Sequence, residues 1–173
     1  MKLISNLIII SVLFLFNTPT LKAETVFLDF QFILGQSSAG KKANQLLKSE
    51  LEKGIKSLKD RENKLQKEEK EIIQQKKILS PEEYKKKISN LRSKVSNLQK
   101  DRQTILNKIA EKRNKARSTI LKSLNPIVKE YMAQKNVKIV LDKKSVLLAN
   151  DELDITKDIM QELNKNLKTI NLN

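Results

Sequence analysis

The chain contains no cysteine and no histidine, and only three of its 173 residues are glycines. It therefore has no thiol nucleophile, no His-based triad and no zinc site of the usual ligand set. Without disulfides, packing alone must hold the fold. Gly35, Gly40 and Gly54 are too few and too scattered for a glycine-rich phosphate-binding loop. No group of residues suggests an enzyme, and no cofactor or metal is predicted.

The first 23 residues have the layout of a secretory signal peptide. Lys2 precedes an apolar run from Leu3 to Phe16, and a break leads to a candidate cleavage site at Ala23. The alternative is an uncleaved membrane anchor, although the run is shorter than the ~20 apolar residues that a membrane span needs. We expect an exported chain that begins at Glu24.

The positive charge is concentrated in the middle of the chain. The net charge is +15, and residues 41–125 hold 25 Lys or Arg against 11 Asp or Glu. Residues 24–40 carry −2 and residues 126–173 carry +1. One interpretation is a solvated helix surface. The other is a field that attracts an acidic partner: nucleic acid, anionic lipid or acidic polypeptide.

The central segment predicts a long antiparallel helical hairpin. Leu or Ile recurs every seven residues from 51 to 79, and apolar residues after Ser80-Pro81 recur at steps of four and three. Paired positions have residue numbers that total 163, so one turn near Pro81 aligns them all. Ser80 is expected to cap the second helix and Pro81 to open it. The predicted seam consists of Leu51, Leu58, Leu65, Ile72, Leu79, Tyr84, Leu91, Leu98 and Ile105.

The two helices are not equally apolar. The same pairing places Gln75, Glu68 and Gly54 opposite Ile88, Val95 and Ile109. Some apolar side chains of the return helix, with Leu106 among them, are thus expected to stay partly exposed or to pack where several arms meet. Scattered apolar residues on a basic hairpin can hold a non-native chain loosely.

Both ends of the chain predict a small β-rich base. Alternation favours strands at 25–30, 137–142 and 146–149, followed by a last helix capped by Asp154. The return helix either ends near Leu124 and restarts at Asn125-Pro126 or continues with a kink at Pro126. The fold class is mainly α, with a base from 24–40 and 126–173 and an arm from 41–125.

Three short strands have little core of their own and leave exposed edges. The strands are apolar on both faces in places, so the sheets are predicted to join between subunits. The alternative is a monomer with a self-contained cap. The residues expected to build the oligomer base are Val26, Leu28, Phe30, Ile139, Leu141, Val146, Leu148 and Ile155.

A cluster of cations lies near the predicted hairpin tip. The cluster indicates either a helix end that is simply solvated or a contact site for an anionic polymer or lipid headgroups. Tyr84 is the only aromatic residue of the arm and is expected on the seam, which argues against nucleic-acid binding. The cluster comprises Lys76, Lys77, Lys85, Lys86, Lys87 and Arg92.

Several segments together resemble the Skp/OmpH family of periplasmic chaperones. They are Val26–Phe30 with Ile33-Leu34, Ser38–Lys41, Val140–Asp142, Val146–Asn150 and Leu153–Thr156. Two positions depart from the family: Leu148 stands where members often show an aromatic residue, and Pro126 interrupts the return segment.

The resemblance implies a periplasmic homotrimer whose three arms enclose a cavity. It implies an ATP-independent holdase that shields unfolded outer-membrane β-barrel proteins. Whether anionic lipid or lipopolysaccharide is a further partner does not follow from the sequence. The rival hypothesis is a structural or tethering coiled coil of the envelope that binds anionic lipid.

Overall fold

The computed structural model describes residues 24–172. The predicted signal peptide, residues 1–23, lies outside the described residues. Within the described range, three 3-10 turns connect the main elements, at Gln75–Lys77, Lys143–Ser145 and Asp151–Leu153. The main elements are β1 (Glu24–Leu28), α1 (Phe30–Gln36), α2 (Ser38–Gln74), α3 (Pro81–Lys135), β2 (Val137–Asp142) and α4 (Thr156–Asn166).

Two long helices form the arm. Helix α2 has 37 residues and α3 has 55, which correspond to about 55 and 80 Å at 1.5 Å per residue. The predicted start of α3 is confirmed: the Ser80 hydroxyl accepts from Glu83 N–H, the Glu83 carboxylate accepts from Ser80 N–H, and Pro81 opens the helix. The Ser80 hydroxyl and the Ser80 N–H both donate to the Glu83 carboxylate, and these hydrogen bonds lower its pKa. No helix within residues 24–172 is long and apolar enough to cross a membrane.

The return helix does not restart at Pro126. Helix α3 runs unbroken from Pro81 to Lys135, with Pro126 inside it. Proline removes one backbone hydrogen bond and strains the preceding turn. Buried Leu124 and Ile127 flank Pro126 and pack into the same core, so tertiary packing keeps the helix continuous. Asn136 ends α3 in the left-handed conformation, with φ of 54°.

The sheet has two strands rather than three. β1 pairs with β2 in parallel, in a register that sets Val26 beside Val140 and Phe27 beside Leu141. The predicted third strand at 146–149 is wrong: a 3-10 turn follows β2, and within residues 24–172 that segment pairs with no strand. The far side of β1 is already occupied by a bridge between Phe27 and Asp154. Of the two edges of this sheet, only the outer edge of β2 is therefore unpaired within the described chain.

The core of the base lies between one face of the sheet and three helices. Ile33 of α1, Ile120 of α3, and Ile159 and Leu163 of α4 are almost fully buried there. Asp154 was predicted to cap the last helix, but the N-cap residue is Ile155, which makes no side-chain capping bond, and α4 begins at Thr156. The remaining buried members of this cluster are Val26, Leu28, Leu124, Ile127, Val137 and Ile155.

The segment after α4 joins the base to the arm. Ile170 packs partly against the base core and partly against a second cluster, and Leu172 is buried within that second cluster. The arm supplies the other members of the second cluster, Ala43, Leu47, Ile109 and Ala116. We call this cluster the arm root. Asn164 adds a polar tie, since its side-chain oxygen accepts from Ser38 N–H at 2.7 Å.

Candidate functional site

The nine residues of the predicted seam are all buried or half-buried. Among its nine residues, Leu58, Ile72, Leu91 and Leu98 are buried, and the other five are half-buried. The half-buried five are Leu51, Leu65, Leu79, Tyr84 and Ile105.

Four polar pairs bridge α2 and α3, and their residue numbers total 162 in every case. The pairs are Glu50–Lys112 at 2.7 Å, Arg61–Asp101 at 2.5 Å, Glu68–Lys94 at 2.7 Å and Gln75–Lys87 at 2.8 Å. The sequence predicts a total of 163, so the observed pairing of the two helices differs from the predicted pairing by one residue. The pairs themselves were not predicted, because the sequence shows their charges but not the direction in which each side chain turns.

These bridges make one face of the hairpin polar. A shallow groove of about 530 Å³ lies on this side, where Lys64, Lys67 and Glu71 line it together with the Glu68–Lys94 and Gln75–Lys87 pairs. We call this side the polar face. Within its groove, the side chains of Glu68 and Gln75 pair across the two helices with those of Lys94 and Lys87.

The opposite side is apolar and open. A groove of about 480 Å³ lies between the helices there. None of the bridging residues lines it. Val95 is 43% exposed and Ile88 is half-buried, which agrees with the expected mismatch between the two helices. We call this side the apolar face. Its groove is lined by Glu62, Leu65, Gln66, Glu69, Ile88, Leu91, Arg92, Val95, Leu98 and Gln99.

Gly54 brings the helices together near the middle of the arm. A Cβ built on Gly54 would lie 2.9 Å from Cγ2 of Ile105, closer than such atoms approach in proteins. Ile109, the predicted opposite of Gly54, is instead buried in the arm root. Of the three apolar residues of α3 without an apolar partner on α2, Ile109 is therefore buried at the arm root, whereas Ile88 and Val95 stay partly exposed.

The cations of the tip are exposed, and they are not neutralised locally. Within residues 24–172, Lys77, Lys85, Lys86 and Arg92 take part in no ion pair. Lys76 lies over the ring of Tyr84, 5.8 Å from its centroid, and Lys87 donates to Gln75. Because Tyr84 is half-buried on the seam, the hairpin offers no exposed aromatic ring for base stacking.

The residues expected in the oligomer base fall into three groups. Val26, Leu28 and Ile155 are buried, and Phe30 and Val146 are half-buried. In the single chain, Ile139, Leu141 and Leu148 are exposed, with Leu148 at 92%. Ile139 and Leu141 lie on the face of the sheet turned away from the core.

The base contains a group of hydrogen-bonded polar residues that was not predicted from the sequence, and we call it the polar junction. Asp29 N–H donates to the hydroxyl of Thr156 at 2.8 Å, and that hydroxyl donates to the carboxylate of Asp154. The same carboxylate accepts from Thr156 N–H at 3.0 Å and from Lys143 Nζ at 2.8 Å. The junction thereby ties the end of β1 to the start of α4.

The junction shifts the pKa values of its charged members. Partial burial favours the neutral form of Asp154, but hydrogen bonds from Lys143 and Thr156 outweigh it and lower the pKa of the carboxyl. The hydrogen bond to Asp154 also raises the pKa of Lys143. Within residues 24–172 no group of acidic side chains is arranged to hold a metal ion.

Known proteins share this architecture. A family model described as outer membrane protein (OmpH-like) matches residues 24–163. A crystal structure from Caulobacter crescentus, described as a proposed outer membrane chaperone (OmpH-like), superposes with a TM-score of 0.79. The two chains are 22% identical, over 85% of this chain and 87% of that one. No curated protein matches. Since the family match covers most of the sequence, the chain belongs to the OmpH-like family.

Proposed function

We propose that the protein is a periplasmic holdase chaperone that works without ATP. Its clients would be unfolded outer-membrane β-barrel proteins, which it keeps from aggregating in a cavity between basic helical arms. The observation that carries the proposal is the un-neutralised charge of the arm. Lys77, Lys85, Lys86 and Arg92 project from a long, exposed hairpin that has no acidic partners for them in the described chain.

The arm charges supply long-range attraction. At moderate ionic strength charges act over ~8–10 Å, so a net-acidic unfolded chain is drawn to the hairpin before any close contact forms. Each contact is weak because both partners remain hydrated. Several arms acting on one client compensate for this through effective concentration. Binding should therefore weaken as salt is added and should need no nucleotide.

The base provides a means of bringing several arms together. The outer edge of β2 is unpaired in the described chain, Ile139 and Leu141 of that strand are exposed, and so is Leu148 of the segment that follows. Large exposed apolar side chains next to an open strand edge are typical of an interface between subunits. The family resemblance implies three copies. We therefore propose a homotrimer with residues 24–40 and 126–173 as its base, joined by the end of α3 at Ile120 and Leu124, and with the rest of residues 41–125 as its arms.

A charge-matched pair of variants tests the proposal. The arm variant changes Lys85, Lys86, Lys87 and Arg92 to Gln. The base variant changes four exposed lysines, Lys138, Lys144, Lys157 and Lys168, to Gln and has the same net charge. Each is mixed with a urea-unfolded β-barrel protein on dilution, and aggregation is followed by light scattering over a range of salt concentrations.

We expect the arm variant to suppress aggregation less well and with a weaker salt dependence, and the base variant to act like the parent protein. Equal suppression by the arm variant would disprove the electrostatic part. Failure of the parent protein to suppress aggregation would disprove the holdase function itself.

One observation favours a second candidate, a tethering coiled coil that binds anionic lipid. Ile78 is 82% exposed at the hairpin tip, next to Lys76 and Lys77. An apolar side chain among cations is the combination that anchors proteins at anionic membrane surfaces. Co-sedimentation with vesicles containing anionic phospholipid or lipopolysaccharide, without any client, would support this candidate if light scattering showed no holdase activity.

A further inference from the structure

We propose that residues 167–172, which follow α4, form a releasable strap that fixes the angle between the base and the arm. Release of the strap lets the arm tilt against the base. The proposal deepens the holdase function proposed above and rests on it, since the arm angle sets the width of the space for a client. The family model matches residues 24–163, so the strap lies outside the matched part of the chain.

The strap is anchored to the base at one end and to the arm at the other. Leu167 N–H donates to the carbonyl oxygen of Leu163 at 2.7 Å, and the Leu167 side chain packs against the base core. Ile170 packs against both the base core and the arm root, and Leu172 is 3% exposed within the arm root. The segment therefore bridges the two parts of the subunit.

The strap is long enough for this bridge. Five steps of extended chain, from Leu167 to Leu172, reach about 17 Å. Along α3, Ile109 of the arm root precedes Ile120 of the base core by 11 residues, a rise of about 16 Å. The strap can therefore hold the arm at a level well beyond the base core.

The strap contacts the arm beyond the arm's other attachments. Helix α3 passes from the base into the arm without a break, and α2 is tied to the base at Ser38, whose N–H donates to Asn164. The α2 members of the arm root, Ala43 and Leu47, lie five and nine residues past Ser38, about 8 and 14 Å along the helix. A contact away from a pivot resists tilting more effectively than one at the pivot. Packing of Leu172 in the arm root consequently holds the arm at one angle.

The strap can leave without unfolding the base. None of the ten buried residues of the base core belongs to the strap, and Leu167 and Ile170 are only partly buried against that core. The strap is neither helix nor strand. Its docking is stabilised by burial of a few apolar side chains and opposed by the cost of ordering six residues, a term of similar size. Docking of the strap is therefore a local equilibrium, separate from unfolding of the base.

A docked strap makes one arm angle the favoured state. A client that fits the resting space binds without disturbing the strap. A bulkier client binds only when the strap is released, so its apparent affinity is reduced in proportion to the released fraction. By linkage, a bulky client and a docked strap oppose each other. The strap thus lowers the affinity for large clients and leaves that for small clients unchanged.

Spin-label distances in the client-free protein test the strap directly. The chain has no cysteine, so nitroxide labels can be attached at Gln161→Cys on α4 and Gln99→Cys on the arm, two exposed positions. Labelled chains are diluted into unlabelled chain, so that only distances within one subunit are measured. The test variants are Leu172→Gln, which places a polar group in the arm root, and a chain that ends at Thr169.

We expect the distance distribution to be about twofold broader in both test variants than in the parent protein, because a released arm samples several angles. Thr169→Gln changes an exposed position of the strap and is the matched control, with an unchanged distribution. An unchanged distribution in the chain that ends at Thr169 would overturn the proposal. So would loss of hydrogen-exchange protection at Ile159 and Leu163 in that chain, because the segment would then be an integral part of the base core.

Two probes of different size test the consequence for binding. They are a urea-unfolded eight-stranded and a urea-unfolded sixteen-stranded β-barrel protein. We expect the chain that ends at Thr169 to bind the large probe several-fold more tightly than the parent protein does, and the small probe with unchanged affinity. Equal changes for the two probes, or no change for the large one, would overturn the size-dependent role. If the parent protein binds neither probe, the holdase function fails, and the spin-label distances still decide whether the strap fixes the arm.

Discussion

The Arg61 guanidinium and the Asp101 carboxylate join the two long helices at 2.5 Å, with the charge order opposite to that of the neighbouring Glu68–Lys94 pair. A slip of the hairpin by one heptad would place Arg61 beside Lys94 or beside Lys108. One of the two slips would also set Glu68 beside Asp101. Since the apolar heptads look alike at each slip, the alternating charges specify the register.

The first prediction tests that role. Arg61→Glu should bring like charges together and shift the hairpin register, and adding Asp101→Arg should restore both. Because the pair is about half exposed, the stability change should be small, about 0.5–1 kcal/mol. The chain has no cysteine, so spin labels can be attached cleanly at Gln66→Cys and Gln99→Cys, and their distance distribution measured. A narrow, unchanged distribution in Arg61→Glu would contradict the prediction.

The second prediction concerns two glycines with opposite surroundings. A Cβ on Gly40 would lie 2.0 Å from the backbone oxygen of Leu34, whereas one on Gly35 would meet nothing within 4 Å. Gly40→Ala should therefore cost about 3–5 kcal/mol, a value typical of severe steric conflict. Gly35→Ala should be neutral or gain up to about 1 kcal/mol from helix propensity. Thermal unfolding of the two variants measures the difference, and a stable Gly40→Ala protein would contradict the packing at this junction.

The third prediction concerns the contact of Gly54 with Ile105. Gly54→Ala alone should give little net gain, because the better helix propensity of alanine is offset by the close approach of Ile105. In an Ile105→Ala background the space is free. There the same substitution should raise the free energy of unfolding by about 1 kcal/mol. Equal effects in the two backgrounds would show that the helices are not in contact at this level.

Much of this arm can be read from the sequence. Leu58, Ile72, Leu91 and Leu98 are buried because heptad spacing dictates which side of a helix faces its partner. The Ser80 cap follows from local chemistry alone. The base is different, since the state of residues 146–149 depends on which strand edges remain free after the chain has folded. The alternation of apolar residues at 146–149 predicts a strand but does not show whether an edge is free to pair with it. In the folded chain Asp154 already pairs with Phe27 on the far side of β1.

The fourth prediction concerns pH. The pKa of Asp154 is lower in the folded chain than its ordinary value of 3.8, so its charged form stabilises the fold above that value. This contribution is lost as the pH falls through the lowered pKa. Asp154→Asn should destabilise the protein by about 1–2 kcal/mol at pH 7, and the difference should shrink below about pH 4. Denaturant unfolding at several pH values tests this, and a difference that is independent of pH would contradict it.

The fifth prediction concerns the segment between base and arm root. Leu172→Ala should cost about 2–4 kcal/mol, as expected for a buried leucine. Hydrogen exchange should rise locally at Ala43, Leu47 and Ala116, which belong to the same buried cluster as Leu172, and not at the tip. Leu147→Ala provides the control, because that side chain is fully exposed in the chain and its truncation should leave the fold of the subunit unchanged. Unaltered exchange at the arm root in Leu172→Ala would contradict the prediction.

Helix α3 belongs to the base at Ile120 and to the hairpin tip at Pro81, without a break between them. It therefore works as a lever. The 39 residues between these points span about 58 Å, so tilting the helix by about 5° where it leaves the base would carry the tip sideways by about 5 Å. Small rotations within the tightly packed base therefore change the width of the space beside the arm by a comparable distance at the tip.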